Sequence, residues 1–433
     1  MISTENLYSH YLNHRVISTD TRNIENGCIF FALKGDNFNA NEFAAQAIEK
    51  GAAFAVVDEE QYAVNDKCLL VEDVLATLQD LARFHRKQLN IPVVGLTGSN
   101  GKTTSKELIN AVLSERYKTF ATFGNLNNHI GVPLSILSIT GDVEVAVIEM
   151  GANHQKEIEL LCTIAQPTHG IITNVGMAHL DGFGGFEGVK KGKAELYNYL
   201  KEKNGYTFIN RDNAYLLEMS ASAGLNKMIY YGTELGNAIK GTLKSSDPFI
   251  EVEWTNHDTN SEVTTNLTGS YNFENILAAI CIGDFFDMTP EEINKGLSGY
   301  QPKNNRSQLT KTENNTVICD FYNANPSSMS AALNNISVLS ADKKTAVLGD
   351  MFELGPESEK QHEIIATQAT KSGLDEIILI GKYFFAFKDK LKATFFETPA
   401  EAAAYLEEKQ IKNNLVLLKG SRGMKLESLL QYL

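Results

Sequence analysis

Lys102 and Thr103 stand at the end of a glycine-rich run, GLTGSNGKTT, that follows the apolar stretch IPVV and precedes a helical pattern. A lysine at that place can neutralise the outer phosphates of a nucleotide, and the threonine hydroxyl can reach Mg²⁺. The backbone N–H groups of Gly98, Ser99, Asn100, Gly101 and Thr104 would cradle the phosphates at the positive end of the helix. The spacing departs by one residue from the commonest phosphate-loop pattern, because Leu96 stands where a glycine is usual and Gly95 precedes it. The segment predicts a binding site for ATP or GTP.

Three further groups of residues could join that chemistry. Glu149 ends the apolar stretch VAVIE, and a strand-end carboxylate at the carboxyl edge of a parallel sheet can coordinate a metal beside the nucleotide. His179 lies in NVGMAHLDGFGG, a loop that follows the strand-like IITNV and so falls at the same edge. Asn125, Asn127 and Asn128 in TFGNLNNHIGVPL supply amides suited to a substrate's phosphates or sugar, or to ordinary asparagine turns. Lys190, Lys191 and Lys193 share the helical pattern EGVKKGKAELYNYL. For Lys190 and Lys191 the reading is a solvated charged face, with Glu187 and Glu195 as partners.

The elements that must hold these groups fall into three units. Residues 1–90 read as a small mixed domain with the strand CIFFAL, a helix over NEFAAQAIEK and the strand AAFAVV. In residues 91–305 the strands IPVVGLTG, EVAVIEMG and HGIITNVG alternate with helices, which predicts a parallel sheet covered on both faces. FIEVEW and EVTTNL near its end alternate apolar and polar residues like antiparallel edge strands, before a helix that starts near Asn272. Residues 306–433 carry the strands VICD, TAVLGDM, EIILIGK and LVLLKGS in a second α/β rhythm. Asn325 and Pro326 are suited to the N-cap and first position of its first helix. The fold class is therefore α/β in three domains: a small N-terminal mixed domain, a central phosphate-loop domain and a C-terminal Rossmann-like domain.

A length of 433 residues suits two or three cores, and a net charge of −14 without a basic patch argues against a nucleic-acid partner. The five cysteines fit neither a disulfide framework nor a zinc site and read as buried thiols. No apolar run approaches the roughly 20 residues that cross a bilayer, and the start MISTENLYSHYL does not resemble a secretory leader. The expectation is a soluble cytoplasmic protein.

These segments together resemble the Mur ligase family, the cytoplasmic amino-acid-adding enzymes of peptidoglycan precursor synthesis. The resemblance runs almost end to end through STDTR, GCIFFALKG, TGSNGKTT, IEMG, NVGMAHLDGFG, GKAEL and YNFENILAA. TFGNLNNHIGVPL, DFYNANPSSMSAAL, VLGDMFELG and KGSRGMKLE resemble the branch that adds a dipeptide. That resemblance implies ATP-dependent joining of D-alanyl-D-alanine to UDP-N-acetylmuramoyl-tripeptide through an acyl phosphate, on a monomer with no membrane partner. A sibling or folylpolyglutamate-type ligase, or a nucleotide-hydrolysing switch protein, are the alternatives.

Carried over position by position, the resemblance implies Lys102, Lys193 and His179 as catalytic groups. Thr103, Glu149, His179 and Lys193 would act at Mg²⁺, two ions in all, with Lys193 carbamylated by CO₂. Asn272 and Asn275 would lie near the adenine, and Arg306 and Asp320 would contact the nucleotide from the third domain. Asp20, Thr21 and Arg22 would hold the uridine diphosphate end, and Asn323, Asn325 and Ser328 would lie near the incoming dipeptide. Two departures stand out: NFNANEF, around Asn39 to Asn41, replaces the family's Asp-Gly-His run, and Asn305 stands where many members have a glycine before the arginine.

Overall fold

The computed structural model describes residues 1–303 and 305–433, arranged around three principal sheets. The first has four parallel strands in chain order, Ile17–Ser18, Ile29–Phe31, Phe54–Val57 and Cys68–Leu70. The central sheet has nine. Its strand Val93–Thr97 lies between His169–Ile172 on one side and Val145–Glu149 on the other, all three parallel. The chain crosses from one half of the sheet to the other at this strand, and the crevice at its carboxyl end is where such sheets place ligands.

Alternation along each strand divides the apolar residues between two cores. Val93, Ala146, Ile148 and Ile172 face one core, whereas Val94, Leu96, Val145, Val147 and Ile171 face the other. Burial on both faces explains why these strands read as unbroken apolar runs. The expected antiparallel edge is Glu251–Thr255 paired with Asn260–Thr264, itself extended by Ile239–Ser245.

The third sheet has six strands rather than four. Thr316–Asp320, Lys344–Gly349, Glu376–Ile380 and Leu415–Lys419 match the apolar runs, and Gln308–Lys311 and Thr394–Phe396 add the edges. Edge strands are half-exposed and short, so they leave little apolar signal in a sequence. Ile318, Ala346, Leu348 and Leu417 serve one core of this sheet, and Val317, Cys319, Val347 and Leu418 the other.

One element absent from the sequence reading joins the first sheet to the central one. The helix Val74–Gln88, capped by the Asp73 side chain on the Ala76 N–H at 2.7 Å, puts Val74, Leu78, Leu81 and Ala82 into a core shared with Ile29, Val56, Val132 and Ile136. Arg86 on this helix is 6% exposed and donates to the carbonyls of Ala165 (2.9 Å), Leu89 (2.8 Å), Gln166 (3.1 Å) and Ile91 (3.3 Å). His85 Nε2 lies 2.9 Å from the Ile139 carbonyl. The first sheet therefore shares a continuous core with the central unit. All five cysteines are buried and unbridged, and no helix among the described residues is long and apolar enough to cross a membrane.

Candidate active site

The strand Val93–Thr97 ends in a loop whose shape requires glycine at two points. Gly98 has φ +149°, and a Cβ there would fall 2.0 Å from Thr173 Oγ1; Gly101 has φ +75°, and a Cβ there would fall 2.5 Å from Asn275 Oδ1. The helix Lys102–Leu113 follows at once. The loop is tied to the neighbouring strand's exit: Ser99 N–H donates to the Asn174 carbonyl (3.0 Å), Asn100 N–H to Asn174 Oδ1 (2.9 Å), and Thr173 Oγ1 to the Asn100 carbonyl (2.6 Å). With its backbone held this way the loop is preorganised for an anion.

Lys102 folds back over the loop and donates to the carbonyls of Gly98 (2.7 Å) and Ser99 (3.2 Å). Burial pulls its ammonium down to about 8; the Glu149 carboxylate works against that shift and the Arg306 guanidinium adds to it. Thr103 donates its hydroxyl to Glu149 Oε2 at 2.9 Å, and Asn127 Nδ2 donates to Glu149 Oε1 at 2.8 Å. Glu149 is 1% exposed and sits opposite Leu96 in the ladder, one residue short of the loop's strand end. Strand register thus sets two hard oxygen donors side by side at the start of the helix.

A cavity of ≈ 660 Å³ opens over this loop and reaches the third sheet. Ser99, Asn100, Gly101, Lys102 and Thr104 line it from the loop. Asn127, Asn128, Glu149, His179, Asn272 and Asn275 line it from the rest of the central unit. Arg306, Asp320, Asn323, Asn325 and Ser328 close it from the third unit. Asn275 Oδ1 accepts from Ser105 Oγ (3.0 Å) while its Nδ2 donates to Asn272 Oδ1 (2.9 Å), so the two amides form one chain beside the loop. Asn128 turns its Oδ1 to the N–H groups of Gly131 (2.8 Å) and Ile130 (3.1 Å), an Asx-type turn.

Other expected residues lie apart from that cavity. Thr103 and Asn125 face a second, smaller cavity next to it. Lys193, on the helix Phe186–Lys203, is 2% exposed, with Nζ 5.2 Å from the centre of the Phe183 ring. Burial first, and the Lys102 charge second, hold its ammonium far below the ordinary lysine range against the opposing pull of Glu195 and Glu157. Asp20, Thr21 and Arg22 follow the strand Ile17–Ser18 and do not line the cavity. Arg22 closes on Asp20 through its backbone N (2.9 Å), Nε (3.0 Å) and Nη2 (2.7 Å), and the carboxyl is held down to about 2. Asn41 is fully buried, with Nδ2 on Asp58 (2.8 Å) and Oδ1 taking the Asp58 N–H (3.0 Å), which makes it a brace of the first sheet.

His179 lines the large cavity with its backbone at φ +53°, and its Nδ1 lies 2.5 Å from Glu353 Oε2 of the third unit, outside hydrogen-bond alignment. The histidine holds the Glu353 carboxyl below its usual range. Glu353 was not legible beforehand. Nor was Lys419 singled out, although the apolar run LVLLK ends on it: it closes the strand Leu415–Lys419 at the carboxyl edge, is 2% exposed, and lies 2.6 Å from Asp320 Oδ2. Tyr271, Asn174, Tyr322 and Ser327 also line the cavity without having been singled out. Lys190 pairs with Glu187 (3.5 Å) and Glu218 (3.0 Å), but Glu195 takes no part, since it accepts the N–H groups of Lys156 (2.6 Å) and Glu159 (2.9 Å) at the start of another helix. No cluster of three or more His, Cys, Asp or Glu poised for a metal occurs among the described residues.

The glycine-rich loop at the end of a parallel strand thus faces a second α/β unit across one cavity. Residues 96–283 match the Mur ligase middle domain, and residues 305–422 match the Mur ligase, glutamate ligase domain. The chain belongs to the Mur ligase family. This Mur ligase is 34% identical over 430 residues to the UDP-N-acetylmuramoyl-tripeptide--D-alanyl-D-alanine ligase of Bacillus subtilis, covering 96% of the chain and 92% of that protein. It superimposes on MurF from Acinetobacter baumannii with a TM-score of 0.87 at 32% identity, over 95% of this chain and 92% of that one. MurF ligase from Thermotoga maritima, solved in complex with ADP, gives 0.86 at 28% identity over 97% of both chains. The three-domain Mur ligase architecture is thus shared along essentially the whole length.

Proposed function

We propose that this Mur ligase joins D-alanyl-D-alanine to UDP-N-acetylmuramoyl-tripeptide, converting ATP to ADP and phosphate and yielding the UDP-linked pentapeptide. The observation that carries the reading is the shared cavity, in which the loop at Lys102 and the third-unit groups Arg306, Asp320 and Lys419 face one another, together with 34% identity to a ligase of that name over nearly the full chain. Residues 1–90 would hold the uridine end through Asp20, Thr21 and Arg22, residues 91–305 the nucleotide, and residues 306–433 the dipeptide. The cavity is built from one chain, so a monomer suffices, and the reading has the reaction run in the cytoplasm on its nucleotide-linked substrate.

In this mechanism an oxygen of the tripeptide's terminal carboxylate attacks the γ-phosphorus of ATP, and ADP leaves. The amine of the dipeptide then adds to the acyl carbon. The tetrahedral adduct loses the amine proton and expels phosphate, leaving the new amide. Lys102 spreads the charge of the transferring phosphoryl group, and closure of the third unit aligns the reactants. Thr103 and Glu149 form a fitting oxygen donor set for Mg²⁺, and His179 lines the same cavity as Glu149; when bound, the ion would neutralise phosphate charge. Removal of Mg²⁺ with EDTA should abolish turnover and weaken ADP binding in calorimetry.

Lys193 we assign to carbamylation. Burial disfavours the ammonium of this 2% exposed lysine, and its neutral amine would attack CO₂, release a proton and become an anionic oxygen donor. In ¹³C-bicarbonate a carbamate resonance should appear in the wild type and be missing from Lys193→Ala, whose kcat should fall on the order of 10²-fold; unchanged turnover in that variant removes the assignment.

The deciding assay is ADP release with Mg-ATP and UDP-N-acetylmuramoyl-tripeptide, with and without D-alanyl-D-alanine, followed by mass analysis of the product. A gain of one dipeptide with dipeptide-dependent ADP release establishes the activity. A gain of one amino acid points to a sibling ligase, and ATP turnover indifferent to both substrates points to a switch protein.

A further inference from the structure

The smaller cavity, ≈ 310 Å³, shares a wall with the nucleotide cavity, since Arg306 and Tyr322 line both. It is assembled from segments far apart in sequence. Thr103 comes from the phosphate loop's helix, Gly124 and Asn125 from the amide-rich loop, Phe321 and Tyr322 from the end of a third-unit strand, and Arg422 from the segment after Lys419. None of these residues other than Thr103 and Arg306 has a part in the phosphoryl chemistry described above. Thr103 reaches the smaller cavity from beside Glu149.

Two guanidinium groups converge on one ring there. Arg306 Cζ lies 3.9 Å from the centre of the Tyr322 ring and Arg422 Cζ lies 5.5 Å from it. Stacking on an aromatic face orients a guanidinium and leaves its edge donors free. Among the described residues no carboxylate forms an ion pair with either arginine, Glu427 included, although it lines the same cavity. Arg306 Nε is buried without a hydrogen-bond partner. Two like charges gathered without a counterion, one of them with an unsatisfied buried donor, mark a place for an anion.

The loop residues Ser99, Asn100, Gly101 and Thr104 that would cradle the nucleotide's phosphates line the larger cavity and not the smaller one, so an anion in the smaller cavity is assigned to another reactant. On the ligase reading above, on which this inference rests, the acceptor dipeptide is a zwitterion. Its amine must approach the acyl phosphate, and its carboxylate must be held about 7 Å away, the span of two extended residues. A fork of guanidinium donors suits a carboxylate. We propose that Arg422, stacked with Arg306 about Tyr322, binds the terminal carboxylate of the incoming dipeptide and so selects acceptors that carry a free C-terminus.

The test compares D-alanyl-D-alanine with D-alanyl-D-alaninamide as acceptors for the wild type and for Arg422→Gln. The wild type should prefer the carboxylate on the order of 10²-fold in kcat/KM, and the variant should cut that preference by roughly tenfold or more, through KM for the dipeptide with KM for ATP retained. Arg422 is exposed, so the thermal midpoint should not move. Should it move, Arg422→Lys, which keeps the charge and loses the fork, must show an intermediate preference. A wild type that accepts the amide equally well, or an unchanged preference in Arg422→Gln, overturns the inference while the ligase reading stands. No ligation of D-alanyl-D-alanine by the wild type overturns both.

Discussion

Asn325 Nδ2 donates to Asn100 Oδ1 at 2.7 Å, joining the third unit's first helix to the phosphate loop across 225 residues of chain. The same side chain caps its own helix, with Oδ1 accepting the Ser328 N–H at 2.9 Å and Ser328 Oγ accepting the Asn325 N–H at 3.1 Å. One asparagine thus uses its acceptor for local structure and its donor for domain contact. Met177 N–H to Ser327 Oγ at 3.4 Å lies alongside.

Asn325→Asp separates the two roles. The carboxylate keeps the cap and adds charge favourable to the helix N-terminus, but it cannot donate to Asn100. The thermal midpoint should hold while kcat falls on the order of tenfold, the worth of a hydrogen bond involving a polar pair at closure. Steady-state kinetics and a melt on the same preparation check both halves, and a loss of stability matching the loss of rate would refute the separation.

Lys102→Met should cost on the order of 10²-fold or more in kcat. It should not destabilise the nucleotide-free protein, because the ammonium is held there against its desolvation with only carbonyl partners. Melts with and without ADP should show the variant equal to or above the wild type alone and below it in the nucleotide-induced gain.

Asn305 has φ +55°, the left-handed region where asparagine is the best tolerated residue after glycine. Asn305→Gly should therefore leave kcat and the midpoint almost unchanged. Asn305→Val should cost about 1–2 kcal/mol, since a β-branched side chain is strained there. Chemical denaturation of the three proteins measures the difference.

His169 begins a central strand among Tyr206, Phe208, Phe285 and Phe286, with Thr168 Oγ1 2.8 Å from its Nδ1. Burial, helped by the Lys227 charge, lowers its pKa from 6.5 to about 4. Between those values the unfolded chain binds the extra proton, so stability from this group is complete above pH 6.5 and is lost as pH falls through 4. The loss should be on the order of 3 kcal/mol. His169→Phe should flatten that part of the stability profile, measured by urea unfolding between pH 7 and pH 4.

The phosphate loop, Glu149 and the Asn325-Pro326 helix start were legible in the chain because each depends on local rules: glycine at positive φ, an apolar strand ending in a polar group, a cap followed by proline. The parallel strands of the central and third units were legible because both faces are buried and most of their residues are apolar. The helix Val74–Gln88 was missed despite its capping Asp73, and so were the short strands Gln308–Lys311 and Thr394–Phe396, whose exposed faces dilute the pattern.

What the sequence determined by itself was therefore the kind of chemistry and the elements that carry it, because backbone conformation and strand burial are set within a few residues. Tertiary structure alone decided which groups meet. It set Glu353 against His179, Lys419 against Asp320, and Arg306 and Arg422 about Tyr322. It also withdrew Lys193 from a helix face that reads as charged. Such contacts follow from how two sheets pack and how one unit closes on another, and side chains brought together from separate elements, as Lys419 and Asp320 are across 99 residues, leave no spacing in the chain to read.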